Sequence, residues 1–137
     1  YTEKTIYIDD YAHHPREIEA SLSSIREMWP DKRLTVAFQP HLYSRTNDFY
    51  PEFAKSLNLA DQVILLDIYP AREQPIPGVT SGLIAERLTV PFVWVTKEEF
   101  PEYVKENVKE GIFMTVGAGD IDRFIPIFTE MFGGTDC

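Results

Sequence analysis

The run Gln62-Val63-Ile64-Leu65-Leu66-Asp67 decides how the rest of this 137-residue chain is read. Its apolar stretch is almost unbroken. A strand with one face in water alternates apolar and polar residues, so a run of this kind belongs to a strand covered on both faces. Such strands form parallel sheets connected by helices, and the flanking sequence supplies both. Upstream, Lys4–Asp9 (KTIYID) and Arg33–Phe38 (RLTVAF) read as strands. Between them Pro15 opens a helix at its favoured first position, with Ile18, Leu22, Ile25 and Met28 on one face. Asn47 reads as the N-cap of a second helix, with Asp48 at its positive end and Phe49, Phe53 and Leu57 inward. Downstream, a loop broken by Pro70, Pro75, Pro77 and Gly78 leads to a short helix from Thr80 to about Leu88. Phe92–Thr96 (FVWVT) is a fourth strand, Glu98–Val108 a helix and Ile112–Val116 (IFMTV) a fifth strand. A last helix turns Ile121, Phe124, Ile125 and Phe128 inward. The pattern predicts a doubly wound α/β fold, a mainly parallel sheet of about five to six strands with helices on both faces. Residues 1–137 make one domain.

Composition narrows the function classes. The chain has 13 Lys and Arg against 22 Asp and Glu, a formal balance of −9, so it lacks the clustered positive charge that grips nucleic acid or an anionic membrane. Apolar residues make up 44% and charged residues 26%, enough to build an ordinary core. No apolar run approaches the roughly 20 residues that cross a bilayer. The single cysteine, Cys137, excludes an internal disulfide and a Cys-based zinc site, and points to a reducing, cytoplasmic setting. Tyr1 stands where a Met would begin a whole protein, and a strand pattern starts at once, so the chain is expected to be a domain cut from a longer protein.

In a doubly wound sheet, ligands sit beyond the carboxyl ends of the strands. All three histidines lie there, in Asp9-Asp10-Tyr11-Ala12-His13-His14-Pro15 and in Gln39-Pro40-His41-Leu42-Tyr43-Ser44-Arg45-Thr46. Asp67, Tyr69 and Arg72 follow the third strand, Thr96 and Lys97 the fourth, and Gly117-Ala118-Gly119-Asp120 the fifth. Three readings compete. Asp9, Asp10, His13, His14 and His41 have the ligand types of a divalent metal site, although adjacent histidines on a tight turn rarely aim at one ion. Asp9, Asp10, Asp67 and Thr96 resemble a receiver-type phosphoacceptor site, but no Lys-Pro pair ends the fifth strand. The third reading is a nucleotide and small-substrate domain of a larger enzyme. Gly117-Ala118-Gly119 before a helix allows backbone N–H groups to approach an anion. It is no dinucleotide fingerprint, since the third glycine would fall at Asp122, and no Walker-type phosphate loop is present.

Asp9-Asp10-Tyr11-Ala12-His13-His14-Pro15, Phe38-Gln39-Pro40-His41, Tyr43-Ser44-Arg45-Thr46, Asp67-Ile68-Tyr69-Pro70-Ala71-Arg72-Glu73 and Gly117-Ala118-Gly119-Asp120-Ile121 together resemble the C-terminal domain of the Mur ligases. Within that family they are most similar to the bacterial enzymes that add L-alanine to UDP-N-acetylmuramate. The resemblance covers nearly the whole chain, in order and at matching spacings, and implies a Rossmann-like fold. It implies that ATP phosphorylates the muramyl carboxylate and that the amine of L-alanine attacks the acyl phosphate, a step of peptidoglycan synthesis. UDP-N-acetylmuramate is then held by a first domain, and ATP with Mg²⁺ by a central one. Both lie outside this chain, so the domain alone is expected to bind no cofactor or metal and to be inactive.

The resemblance also assigns residues. It puts Asp10 against the ATP ribose, and Tyr11 and His13 around the incoming alanine. His14, a cap before Pro15, is set on the phosphate side. Arg45 is implied to pair with the alanine carboxylate, a task that suits a planar guanidinium. Many family members carry a second arginine where this chain has Leu42, which leaves His41 or a backbone donor to take part instead. Gly117, Ala118 and Gly119 would complete the pocket. A related ligase that recycles whole peptides shares the Asp-Asp-x-Ala-His-His-Pro motif, but Gln39-Pro40-His41-x-Tyr43 favours the alanine enzyme.

Overall fold

A computed structural model of the chain describes residues 5–10, 12, 14–69, 72–108, 110–117 and 120–132. Tyr11, His13, Ala118 and Gly119 therefore lie outside the described residues, as do Pro70, Ala71, Tyr1 and Cys137. The element order is β1 (Thr5–Asp10), α1 (Pro15–Met28), β2 (Leu34–Phe38), α2 (Tyr43–Leu57), β3 (Gln62–Leu65), α3 (Gly82–Ala85), β4 (Phe92–Trp94), α4 (Phe100–Asn107), β5 (Gly111–Val116), a 3₁₀ turn (Asp120–Phe124) and α5 (Ile125–Met131). All strand pairings are parallel, in the order β1-β5-β2-β3-β4.

Both faces of the sheet are covered, as the run at Gln62–Asp67 requires. On one face Ile18, Leu22 and Ile25 of α1, Phe53 and Leu57 of α2, and Ile84 of α3 pack on Val36, Phe38, Val63, Leu65 and Met114. On the other, Phe100 and Val104 of α4 and Phe128 of α5 pack on Tyr7, Ala37, Ile64 and Phe113. Phe128 meets Phe100 and Phe113 edge to face, with ring centroids 5.1 Å apart, the arrangement the aromatic quadrupole favours. β2 and β5 are buried along their whole length, which is why their sequences are apolar without alternation.

Neighbouring strands whose connections leave on opposite faces open a crevice at their carboxyl ends. β5 lies between β1 and β2, and its connection to α5 leaves on the face opposite α1 and α2. The loops after β1, β5 and β2 therefore converge at this crevice.

Several local expectations need correction. Met28 is 60% exposed, because the buried face of α1 ends at Ile25. α2 starts at Tyr43, with Leu42 as its N-cap, so Asn47 lies inside the helix. β4 keeps only three residues, and as an edge strand it leaves Phe92 and Trp94 largely exposed. The helix after Thr80 is one turn long. The last helix is two pieces, since Pro126 lacks an N–H and suits the first turn of a new helix better than the middle of one.

Candidate functional site

Two clusters of side chains stand on the carboxyl rim. The first is at the crevice of β1, β5 and β2. One carboxyl oxygen of Asp10 accepts the Ala12 N–H at 2.9 Å and the other accepts the Ser21 hydroxyl, so Asp10 ties the loop after β1 to α1. Asp9 accepts the Thr115 hydroxyl at 2.6 Å, and Thr115 is 2.8 Å from the buried Tyr7 hydroxyl. Much of Asp9 reaches solvent, yet crowding around its carboxyl strips water from it and raises its pKa; the Thr115 bond opposes this, while the charges of Asp10 and Asp122 add to it. Gly117 closes the cluster at φ +145°, where a Cβ would come within 2.9 Å of the Gln39 carbonyl oxygen. Only glycine lets the chain turn so close to β2. The buried Gln39 side chain accepts the Ile121 N–H at 2.9 Å, which fixes the 3₁₀ turn to the end of β2.

His14 belongs to the start of α1. Its Nδ1 accepts the Arg16 N–H at 3.2 Å, while Glu17 accepts the His14 N–H at 3.2 Å, a complete capping box. The ring also lies 5.2 Å from that of Phe49 on α2. Together with Pro15, Arg16 and Glu52 these residues line a cavity of about 360 Å³ between the start of α1 and the middle of α2. Arg45 is one turn upstream of Phe49, on the same side of α2.

The second cluster joins the ends of β2 and β3. Arg45 Nη1 lies 3.1 Å from His41 Nδ1, and because a guanidinium only donates, this hydrogen bond forms with the imidazole tautomer that carries its proton on Nε2. His41 stacks on Tyr69, with centroids 5.7 Å apart and planes 14° from parallel. The two also pair as a parallel bridge, in which Tyr69 donates to the Pro40 carbonyl and accepts from the Leu42 N–H, both at 2.8 Å. Arg45 and His41 are half-buried, so they are oriented without being sealed from a ligand.

The receiver and metal alternatives gain no support from this geometry. Three strand steps of roughly 4.8 Å put Asp67 about 14 Å from Asp9 and Asp10 across the sheet, too far to share an ion. Asp67 instead accepts the Trp94 indole N–H at 2.8 Å. The receiver reading therefore fails. Among the described residues no three His, Cys, Asp or Glu side chains come together in a way that could hold a metal.

Residues 1–119 match a family described as "Mur ligase, glutamate ligase domain". The chain belongs to the Mur ligase family. It is that family's C-terminal domain. Among relatives of this Mur ligase domain, the UDP-N-acetylmuramate–L-alanine ligase of Phocaeicola vulgatus is 52% identical over 126 residues, which cover 90% of this chain and 27% of that protein. The solved UDP-N-acetylmuramate–alanine ligase of Thermotoga maritima superposes with a TM-score of 0.70 at 30% identity, covering 94% of this chain and 27% of that one. The Mur ligase domain thus spans little more than a quarter of these relatives. A ligase domain from Haemophilus ducreyi, crystallised without the rest of its protein, shares the fold at 19% identity with a TM-score of 0.66; the match covers 96% of this chain and 97% of that one.

Some residues of the site were not assigned a part from sequence. Gln39, Tyr69 and Glu73 stand inside the quoted motifs, but nothing local says what they bind, since each acts on a segment far away in the chain. Ser21 sits on the buried-to-exposed border of α1 like any helix serine.

Proposed function

We propose that this domain carries the amino-acid site of a UDP-N-acetylmuramate–L-alanine ligase. The reading rests on one observation above the others, the Arg45–His41–Tyr69 assembly at the ends of β2 and β3. In it a guanidinium is steadied by a neutral imidazole, itself seated on an aromatic ring. Such a group binds a small carboxylate through charge-assisted hydrogen bonds. His41 beside it takes part in the role for which the Leu42 side chain offers no donor.

In the reaction, the nucleotide supplies a phosphoryl group to the muramyl carboxylate, and the alanine amine displaces phosphate from the acyl phosphate. Arg45 and His41 hold the alanine carboxylate, which leaves the amine pointing away from the rim toward the acyl donor. Asp10 keeps acceptor capacity beyond its two bonds and can take a ribose hydroxyl, and His14 at the start of α1 would face the phosphates. Tyr11 and His13 would wall the alanine, and Gly117, Ala118 and Gly119 would close over it. Among the described residues no three carboxylate or imidazole side chains gather as a metal site, and we assign Mg²⁺ and UDP-N-acetylmuramate to other parts of the protein.

The test is steady-state kinetics of the full-length enzyme. Arg45→Ala should weaken use of L-alanine by about 1.5–3 kcal/mol, the size of a lost charged hydrogen bond, or roughly 10- to 150-fold in KM. An unchanged KM for alanine removes Arg45 from the site. Peptides beginning with L-alanine should be poor substitutes for it; preference for them would favour the peptide-recycling activity.

A further inference from the structure

We propose that Glu73 is a positioning residue for the amino-acid site, bracing Arg45 and His41 from the loop after β3. The inference rests on the reading that Arg45 and His41 hold the substrate carboxylate. A helix leaves its first N–H groups without partners, and a side chain at the N-cap ordinarily answers them. α2 has no such side chain, because its N-cap is Leu42, and its first turn contains no acidic residue. Glu73 does the work from 29 residues away. Its carboxylate accepts the Ser44 N–H at 3.0 Å and the Ser44 hydroxyl. The Ser44 hydroxyl, the Ser44 N–H and the Tyr43 N–H together hold the Glu73 carboxyl below its ordinary pKa. The negative charge also faces the positive end of the helix dipole.

What this brace restrains is an unfavourable turn. Leu42 adopts φ 74° and ψ 136°, and it is the single non-glycine residue with positive φ among those described. A side chain in that region persists only where its surroundings over-determine it. Here the Leu42 N–H is held by Tyr69, and its carbonyl accepts the Thr46 N–H at 3.2 Å and the Thr46 hydroxyl at 2.9 Å. His41 and Arg45 stand on either side of the turn, and their 3.1 Å contact exists only while the chain reverses at Leu42. The loop after β3 thus grips the turn twice, Tyr69 at the strand side and Glu73 at the helix side. Without Glu73 the first turn of α2 loosens and Arg45 loses its fixed direction.

The experiment compares Glu73→Ala, Glu73→Gln, Arg45→Ala and the Glu73→Ala/Arg45→Ala double variant of the full-length enzyme. Glu73→Ala should raise KM for L-alanine about tenfold, the scale of a misplaced binding group, with KM for ATP and for the muramyl substrate within about twofold of wild type. Glu73→Gln, which keeps an acceptor oxygen, should recover part of the loss. In the Arg45→Ala background, Glu73→Ala should add less than about twofold, since both act through one contact. Equal damage to all three KM values, or a full tenfold added on top of Arg45→Ala, overturns the proposal. A rise with Arg45→Ala but none with Glu73→Ala or Glu73→Gln overturns it while leaving the alanine site in place. No rise with Arg45→Ala removes the site and this inference together.

Discussion

His14 answers the Arg16 N–H while Glu17 answers the His14 N–H, so two orphan donors of α1 are met by one reciprocal pair. Removing it should cost about 1 kcal/mol, the usual worth of a cap. His14→Ala is therefore expected to lower the melting temperature of the domain, and His14→Ser to restore it, as thermal unfolding followed by circular dichroism would show. A His14→Ser variant that remains as unstable as His14→Ala would deny the cap. The same pair separates structure from nucleotide binding, since a serine keeps the cap but has no imidazole to offer a phosphate. Single residues were legible from sequence in proportion to how locally they act. His14 before Pro15 announced a helix start because cap, proline and Glu17 are contiguous. Glu73 announced nothing, because the helix it caps begins 30 residues earlier, and without it Asn47 looked like the better start for α2. Leu42 carries no mark of its positive φ either, since leucine is a poor choice for that conformation and only tertiary bonds impose it.

Elements are joined at their far ends by a different kind of contact. Asp61, just before β3, accepts the Leu34 N–H at 2.8 Å and pairs with Arg26 of α1 at 2.9 Å, while Arg26 also donates to the Leu59 carbonyl. Desolvation pushes the Asp61 carboxyl upward, but the bonds from Arg26 and Leu34, with the charges of Arg26 and Arg33, outweigh it and leave the pKa below its ordinary value. A carboxyl depressed in the folded state stabilises the fold above its unfolded pKa and loses that contribution as pH falls through the folded one. Asp61→Asn should accordingly lower stability at pH 7 by about 1 kcal/mol or less, since more than a third of the Asp61 side chain is exposed and screened. The gap between wild type and variant should close below about pH 4. Melting temperatures measured from pH 7 to 3 decide it, and a gap that widens in acid would contradict the argument. At this scale the sequence was most informative. An apolar run without alternation marked β3, because burial on both faces leaves few polar positions. β4 read as an equal of the others, because its edge position is set by strand order and not by composition.

At the scale of the whole molecule, the chain spans little more than a quarter of the relatives it matches. A domain of the same fold from Haemophilus ducreyi crystallised without the rest of its protein, and this domain is expected to fold alone as well. Chemistry is expected to require it. The isolated domain should unfold in one cooperative transition yet release no phosphate from ATP, with or without L-alanine and UDP-N-acetylmuramate; measurable alanine-dependent release would show that this domain holds more of the machinery than proposed. Fold class was legible from the alternation of strands and helices, but strand order was not, because no local pattern says that the last strand goes between the first two. That placement matters while the chain is being made. As it leaves the ribosome, β1 and β2 emerge with a gap between them that only Gly111–Val116 fills, and until those residues appear both keep an open row of N–H and C=O groups. A nascent or truncated chain ending before Gly111 carries that gap in the middle of its sheet, where a strand from a neighbouring copy could enter in place of its own.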